Sequence, residues 1–288
     1  MKLSENELKQ KIKNLSQSGE GTVAELLKRL YLERFLARLA SSELADKLIF
    51  KGGNLLRYYL AIGRQTTDLD FLMTKISAER DSVRKAFEDI CSAQVDDGFQ
   101  MDFVRLEDLE QGHMAYPGFR AIVNIKLIDG KLNDNLQVDV GVGDQVQPEK
   151  REIELLEYKG TPFYEDAVSL QVYPVESIYA EKLETISRRG GQNSRIKDFH
   201  DLVMLSRNPG LMSQEVLAES IDTTFENRGT PQQLPLSFED AEYSTLNGFW
   251  TAHGATMGAW WKENDMPEHI KQAVLEINSF VSKLLSKK

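Results

Sequence analysis

The sequence predicts an α+β protein, a mixed β-sheet with flanking helices followed by a mainly helical C-terminal part. Three observations carry that expectation: short alternating apolar runs between residues 48 and 142, a glycine pair set between a strand-like and a helix-like segment, and helical periodicity beyond residue 150. The 288 residues have room for about two domains, expected here as 1–150 and 151–288.

Residues 4–47 read as helical, because Val23, Leu26, Leu27, Leu30, Phe35, Leu36 and Leu39 recur at helical spacings with charges between them. Leu48-Ile49-Phe50 is a short strand that runs into Lys51-Gly52-Gly53, and Asn54 is expected to open a helix reaching Gly63. In 68–73, Leu69 and Phe71 alternate with Asp68 and Asp70, as in a strand with one buried face. A helix is expected over 77–91 and a short strand over 99–104. Phe119 to Leu127 and Leu136 to Val142 alternate on either side of a polar turn at 129–135 and predict an antiparallel hairpin. Further helices are expected near 175–188, 194–206, 213–227, 238–250 and 267–286.

Composition excludes several classes. No segment approaches the roughly 18 uninterrupted apolar residues of a membrane helix, and the N-terminus lacks the apolar core of a secretory signal. A cytoplasmic protein with no membrane partner is expected. The single cysteine, Cys91, forms no internal disulfide, and His113, His200, His253 and His269 are too scattered along the chain to suggest a metal set. A net charge of −10 argues against a surface that binds nucleic acid everywhere and leaves room for a local basic strip. Trp250, Trp260 and Trp261 read as core residues of the C-terminal half.

The chemistry concentrates between residues 52 and 70. Gly52 and Gly53 let backbone N–H groups approach a triphosphate, with the positive end of the following helix behind them and Asn54 placed to cap it. Asp68 and Asp70 leave the same face of a strand with Cα atoms roughly 6.5–7 Å apart, a spacing suited to paired divalent ions. Hard oxygen ligands favour Mg²⁺ or Mn²⁺. Asp139, in Gln137-Val138-Asp139-Val140, is the candidate third carboxylate. An alternating Asp on a strand is ordinarily just the solvated face, so the glycine turn and the third Asp carry the reading. Arg64, four residues before Asp68, is the firmer phosphate contact of the pair Arg57 and Arg64, and Thr67 precedes the acidic strand. On the helix after Pro174, Lys182 and Arg189 share a face, with Asp198 and Asp201 on the next helix placed to orient the lysine or merely to pair with it.

In their order, these motifs resemble the nucleotidyltransferases of the DNA polymerase beta-like superfamily, and more closely the AbiEii/AbiGii toxin family of abortive-infection and toxin–antitoxin systems. The resemblance runs over roughly residues 45–206. It rests on Phe50 to Arg57, Arg64 to Phe71, Val138-Asp139-Val140, Tyr173-Pro174 through Leu183, and Arg195 to Phe199. Asn54 stands where the superfamily usually has Ser and the toxin family often has Thr. The resemblance implies a catalytic domain over 1–150 and a helical domain over 151–288 that contributes Lys182 and Asp198. Asp68, Asp70 and Asp139 would bind metal, and Gly52, Gly53, Asn54, Arg64, Thr67 and Lys182 the nucleoside triphosphate. It also implies nucleotide transfer to an acceptor hydroxyl, the 3′ end of tRNA being the expected RNA acceptor, and a separately encoded antitoxin. Two alternatives stay open: a protein acceptor, or a catalytically silent nucleotide- or partner-binding protein.

Overall fold

A computed structural model gives the fold and describes residues 3–109, 118–144 and 146–286. The chain divides into two compact units, Met1–Tyr58 with Gln65–Tyr173, and Tyr59–Arg64 with Pro174–Lys288.

The first unit opens with helices α1 (Glu5–Gln17) and α2 (Val23–Ala40), each started by a capping box, Ser4 with Glu7 and Thr22 with Glu25. The single helical stretch expected over 4–47 is therefore two helices. Gly19 and Gly21 take positive φ between them, 93° and 132°, a backbone that a continuous helix does not allow. From Leu30 to Leu39 every residue of α2 is buried, including Glu33, Arg34 and Arg38. These charges are buried because they are paired. Arg38 donates to both oxygens of Asp97, at 2.7 and 3.0 Å, and to the carbonyl of Phe99 at 2.8 Å.

The strands are β1 (Leu48–Lys51), β2 (Asp68–Met73), β3 (Phe99–Leu109), β4 (Gly118–Leu127), β5 (Asn133–Gly141), β6 (Glu149–Glu154), β7 (Glu157–Tyr158), β8 (Thr161–Pro162) and β9 (Ala167–Val172). Among the described residues seven of them form one mixed sheet in the order β3-β4-β5-β2-β1-β9-β6, and β7 and β8 pair separately. β4 and β5 make the expected antiparallel hairpin. β2 runs parallel to β5 and antiparallel to β1. The sheet extends past residue 150, where mostly helix was expected: β6 and β9 pair with each other and β9 joins β1.

Helix α3 (Gly52–Leu56) is a single turn that starts on the glycines and ends well before Gly63. Its N-cap is Lys51, so Asn54 is not the cap. Its amide instead donates to the carbonyl of Asp68 at 3.3 Å and ties the turn to β2. Helix α4 (Arg80–Ser92) buries Val83, Phe87 and Ile90. An aromatic cluster packs one face of the sheet. The Phe71 ring is 5.4 Å from Phe50 and 6.1 Å from Phe35 of α2, and Phe35 is 6.2 Å from Phe87 of α4. Each such side chain contributes about 1.5–3 kcal/mol on burial. Because successive strand residues face opposite ways, Asp68 and Asp70 are left on the other face.

The second unit is helical: α5 (Val175–Arg189), α6 (Ile196–Arg207), α7 (Gln214–Asn227), α8 (Asp240–Met257), α9 (Ala259–Glu263) and α10 (Ile270–Leu285). α6 packs against α5, α8 and α10. Trp250 is fully buried, donates to the carbonyl of Pro267 at 2.8 Å and meets Trp261 edge-on at 4.8 Å, the core role expected of it. Among the described residues no helix is long and apolar enough to cross a membrane.

Candidate metal centre

Register builds the acidic cluster. Asp68 and Asp70 lie two apart on β2, and Asp139 of β5 is the direct parallel partner of Asp70. Partners across a ladder share a face, so all three carboxylates emerge together. One oxygen of each lies within 4.8 Å of the others, and all three side chains are half-buried. This all-oxygen set matches the ligand preference of Mg²⁺ or Mn²⁺.

The glycine turn presses against this cluster. Gly52 has a φ of 78°, and a Cβ built there would lie 2.2 Å from Oδ2 of Asp70. Position 52 therefore excludes a side chain on two grounds, the left-handed backbone and the space that the carboxylate occupies.

Two cations that the sequence reading did not single out flank the carboxylates. Lys51 is the antiparallel partner of Asp70, and Arg120 of β4 is the antiparallel partner of Asp139. A row Lys51-Asp70-Asp139-Arg120 thus crosses four strands at one height of the sheet. Nε of Arg120 donates to Oδ1 of Asp139 at 2.7 Å and Nη2 donates to Oδ2 at 2.8 Å. The hydrogen bonds to Asp139 raise the pKa of Arg120 above its ordinary value despite partial desolvation. Nζ of Lys51 donates to Asp144 at 3.0 Å and lies over the face of the Tyr173 ring at 4.6 Å. The polar position of Arg120 in an alternating strand was visible in the sequence. Its partner was not, because the turn between β4 and β5 leaves the hairpin register open.

The remaining predicted site residues separate by unit. Gly52, Gly53, Asn54, Thr67, Asp68, Asp70 and Asp139 belong to the first unit, with Thr67 exposed at the start of β2. Arg64, Lys182 and Asp198 belong to the second. There, Arg64 donates to both oxygens of Asp201, at 2.7 and 2.6 Å. Nζ of Lys182 sits 2.8 Å from Asp198 and 2.7 Å from Asp201, and Arg195 completes the chain on Asp198 at 3.0 Å. Burial opposes the charge on Lys182, and the two carboxylates outweigh it and raise its pKa. Burial likewise pushes the Asp201 carboxyl upward, but Lys182 and Arg64 prevail and hold it well below the usual range. Arg64, expected on phosphate, spends its fork on a buried carboxylate. Arg57 lies over the Tyr58 ring at 5.5 Å, and Arg189 is exposed.

His200 and His253, far apart in sequence, share a hydrogen bond of 2.9 Å, and His200 stacks on Trp260 at 5.4 Å. Burial pushes His200 down to about 4. Among the described residues the three aspartates are the one acidic or histidine group with metal-binding geometry. His113 lies outside the described residues.

A family model described as "Nucleotidyl transferase AbiEii toxin, Type IV TA system" matches residues 34–257. Comparison with curated proteins gives no match. Among solved structures the chain is similar to MenT4, a nucleotidyltransferase toxin from Mycobacterium tuberculosis H37Rv. That likeness has a TM-score of 0.52 at 15% identity and covers 91% of this chain and 84% of that one. It is also similar to JHP933 from Helicobacter pylori, with a TM-score of 0.47, 15% identity and 89% of each chain covered.

Proposed function

The chain belongs to the AbiEii family of nucleotidyltransferase toxins of type IV toxin–antitoxin systems, and from that premise we propose that it transfers a nucleoside monophosphate from a triphosphate to an RNA hydroxyl, in a reaction that depends on divalent metal. The observation that carries the metal dependence is the convergence of Asp68, Asp70 and Asp139 against a glycine that leaves room for no side chain.

Asp68, Asp70 and Asp139 are the residues that would hold Mg²⁺ or Mn²⁺. When bound, such ions neutralise the triphosphate and stabilise the departing pyrophosphate in an in-line displacement. Gly52 and Gly53 offer backbone N–H groups to the phosphates, and Asn54 fixes that turn to β2 through the Asp68 carbonyl. Because α3 is one turn long, the backbone amides matter more than any helix dipole. Asp139, on the neighbouring strand, orients the acceptor hydroxyl and draws its proton onto a carboxylate oxygen. Thr67, Arg64 and Lys182 are the further nucleotide contacts, and Asp198 supports the lysine, its carboxylate and that of Asp201 holding the ammonium charged. The acceptor we propose is the 3′ end of tRNA, and the partner in the cell is a separately encoded antitoxin.

The test is label transfer. Purified protein is incubated with each of the four α-labelled nucleotides, Mg²⁺ or Mn²⁺, and total RNA or protein extract. We expect label in RNA of tRNA size, abolished by chelator and by Asp70→Ala. Label in protein would overturn the RNA acceptor. Absence of metal-dependent transfer, or an Asp70→Ala variant of undiminished activity, would overturn the enzyme reading.

A further inference from the structure

Three carboxylates crowded within 4.8 Å repel one another, and at Asp139 a guanidinium offsets that repulsion. Arg120 engages both oxygens of Asp139 in a fork, at 2.7 and 2.8 Å, on a side chain about one-third exposed. The charge of the third carboxylate is thus matched by an arginine of the same sheet. A fork that uses both oxygens fixes the carboxylate plane and holds the positive charge where a cation shared with Asp70 would also act.

Resting on the metal-dependent reading above, we propose that Arg120 is the resting-state counter-ion of Asp139, so that a divalent cation binding the three aspartates must compete with its guanidinium for that carboxylate. Arg120 is then a positioning residue. It keeps Asp139 in place and charge-balanced while metal is absent, and it weakens metal binding until the nucleotide brings further ligands. The position makes this specific. Arg120 and Asp139 are directly opposed on adjacent strands, so the pair forms without any loop rearrangement, and the guanidinium is free to turn outward when displaced because nothing buries it fully.

The measurement is Mn²⁺ affinity of the full chain, read by electron paramagnetic resonance of free Mn²⁺ without nucleotide. We expect Arg120→Gln to tighten binding about tenfold, the size of one lost charge-assisted contact, and Arg120→Lys, which keeps the charge and loses the fork, to fall between. In an Asp139→Asn background the same Arg120→Gln change is expected to have little effect, which separates the contact from a general loss of positive charge. Thermal melting checks that each variant is folded, and Arg120→Lys carries the test if Arg120→Gln is not. Wild-type binding that Arg120→Gln leaves unchanged or weakens overturns this inference alone. A wild-type chain and Arg120 variants that all fail to bind Mn²⁺ overturn the metal centre itself, and this inference with it. Equal tightening in the Asp139→Asn background also overturns it.

Discussion

Position 52 carries the tightest packing constraint on the acidic cluster. In Gly52→Ala the new methyl group would meet the Asp70 carboxylate at 2.2 Å on a backbone with φ of 78°, so the carboxylate must move. Misplacing a reacting group by about 1 Å costs on the order of a hundredfold in rate. We expect label transfer to fall by that order while far-ultraviolet circular dichroism stays native, and an active Gly52→Ala variant would show that the turn does not set the carboxylate. A second residue-scale prediction concerns pH. His200 is fully buried beside His253, Asp201, Arg64 and Trp260, and burial lowers its pKa from 6.5 to about 4. Between those values the unfolded chain binds a proton that the folded chain does not, so stability falls as pH drops through the window. The full effect is roughly 3 kcal/mol. Asp201, held below the usual carboxylate range, keeps its own contribution throughout that window. Melting temperatures should therefore drop more steeply from pH 6.5 to 4 in the wild type than in His200→Gln, and parallel curves would refute the assignment.

At the scale of elements, α2 is tied to the rest of the first unit by buried ion pairs as well as by apolar contacts. Arg38 joins it to the segment before β3 through Asp97 and Phe99. Removing one partner leaves a charge stranded in the core, at a cost of about 3–5 kcal/mol, whereas replacing both with apolar groups is far milder. Urea unfolding should accordingly show Arg38→Met as severely destabilised and Arg38→Met with Asp97→Leu as substantially recovered. A double variant no better than the single one would mean that Asp97 has work beyond its partner, such as accepting from the Phe99 amide at 2.9 Å. The sequence showed the helical spacing but not the burial of its charges, which look like a solvated face until their partners are known.

For the whole molecule, the second unit depends on six residues borrowed from the first half of the chain. Gly63 lies where a Cβ would strike the Trp260 ring at 2.1 Å, and Arg64 forks onto Asp201. A fragment comprising 174–288 alone lacks both and is expected to melt without a sharp near-ultraviolet transition; a cooperative, native-like melt would sink that expectation. This is also where sequence reading stopped. Strong alternation exposed the β4–β5 hairpin and β2, and three-to-four spacing exposed α5, α6, α7 and α10 within a few residues. β6 went unread because five of its six residues are charged, and β9, six residues with uncharged Ser169 and Gln171 between its apolar positions, lies where helix was expected. The placement of 59–64 was hidden because six residues carry no period. Arg64 was assigned to phosphate by its nearness to Asp68 in sequence, and its fork onto Asp201 carried no signal there. The three aspartates were legible as a set because each alternates with apolar neighbours along its strand.

That alternation has a consequence for how the cluster can change. Asp139 and Asp70 meet because β5 and β2 are in phase, and the phase of β5 is set by the count of residues from the hairpin turn. Deleting a single residue inside β5 before Asp139 would turn Val138 toward the ions and the aspartate into the apolar core. Deleting two would restore the side but shift the height. Point substitutions can tune this centre, whereas length changes within β5 erase it, so relatives of this chain that keep the chemistry should vary in length at the turn and not within the strand.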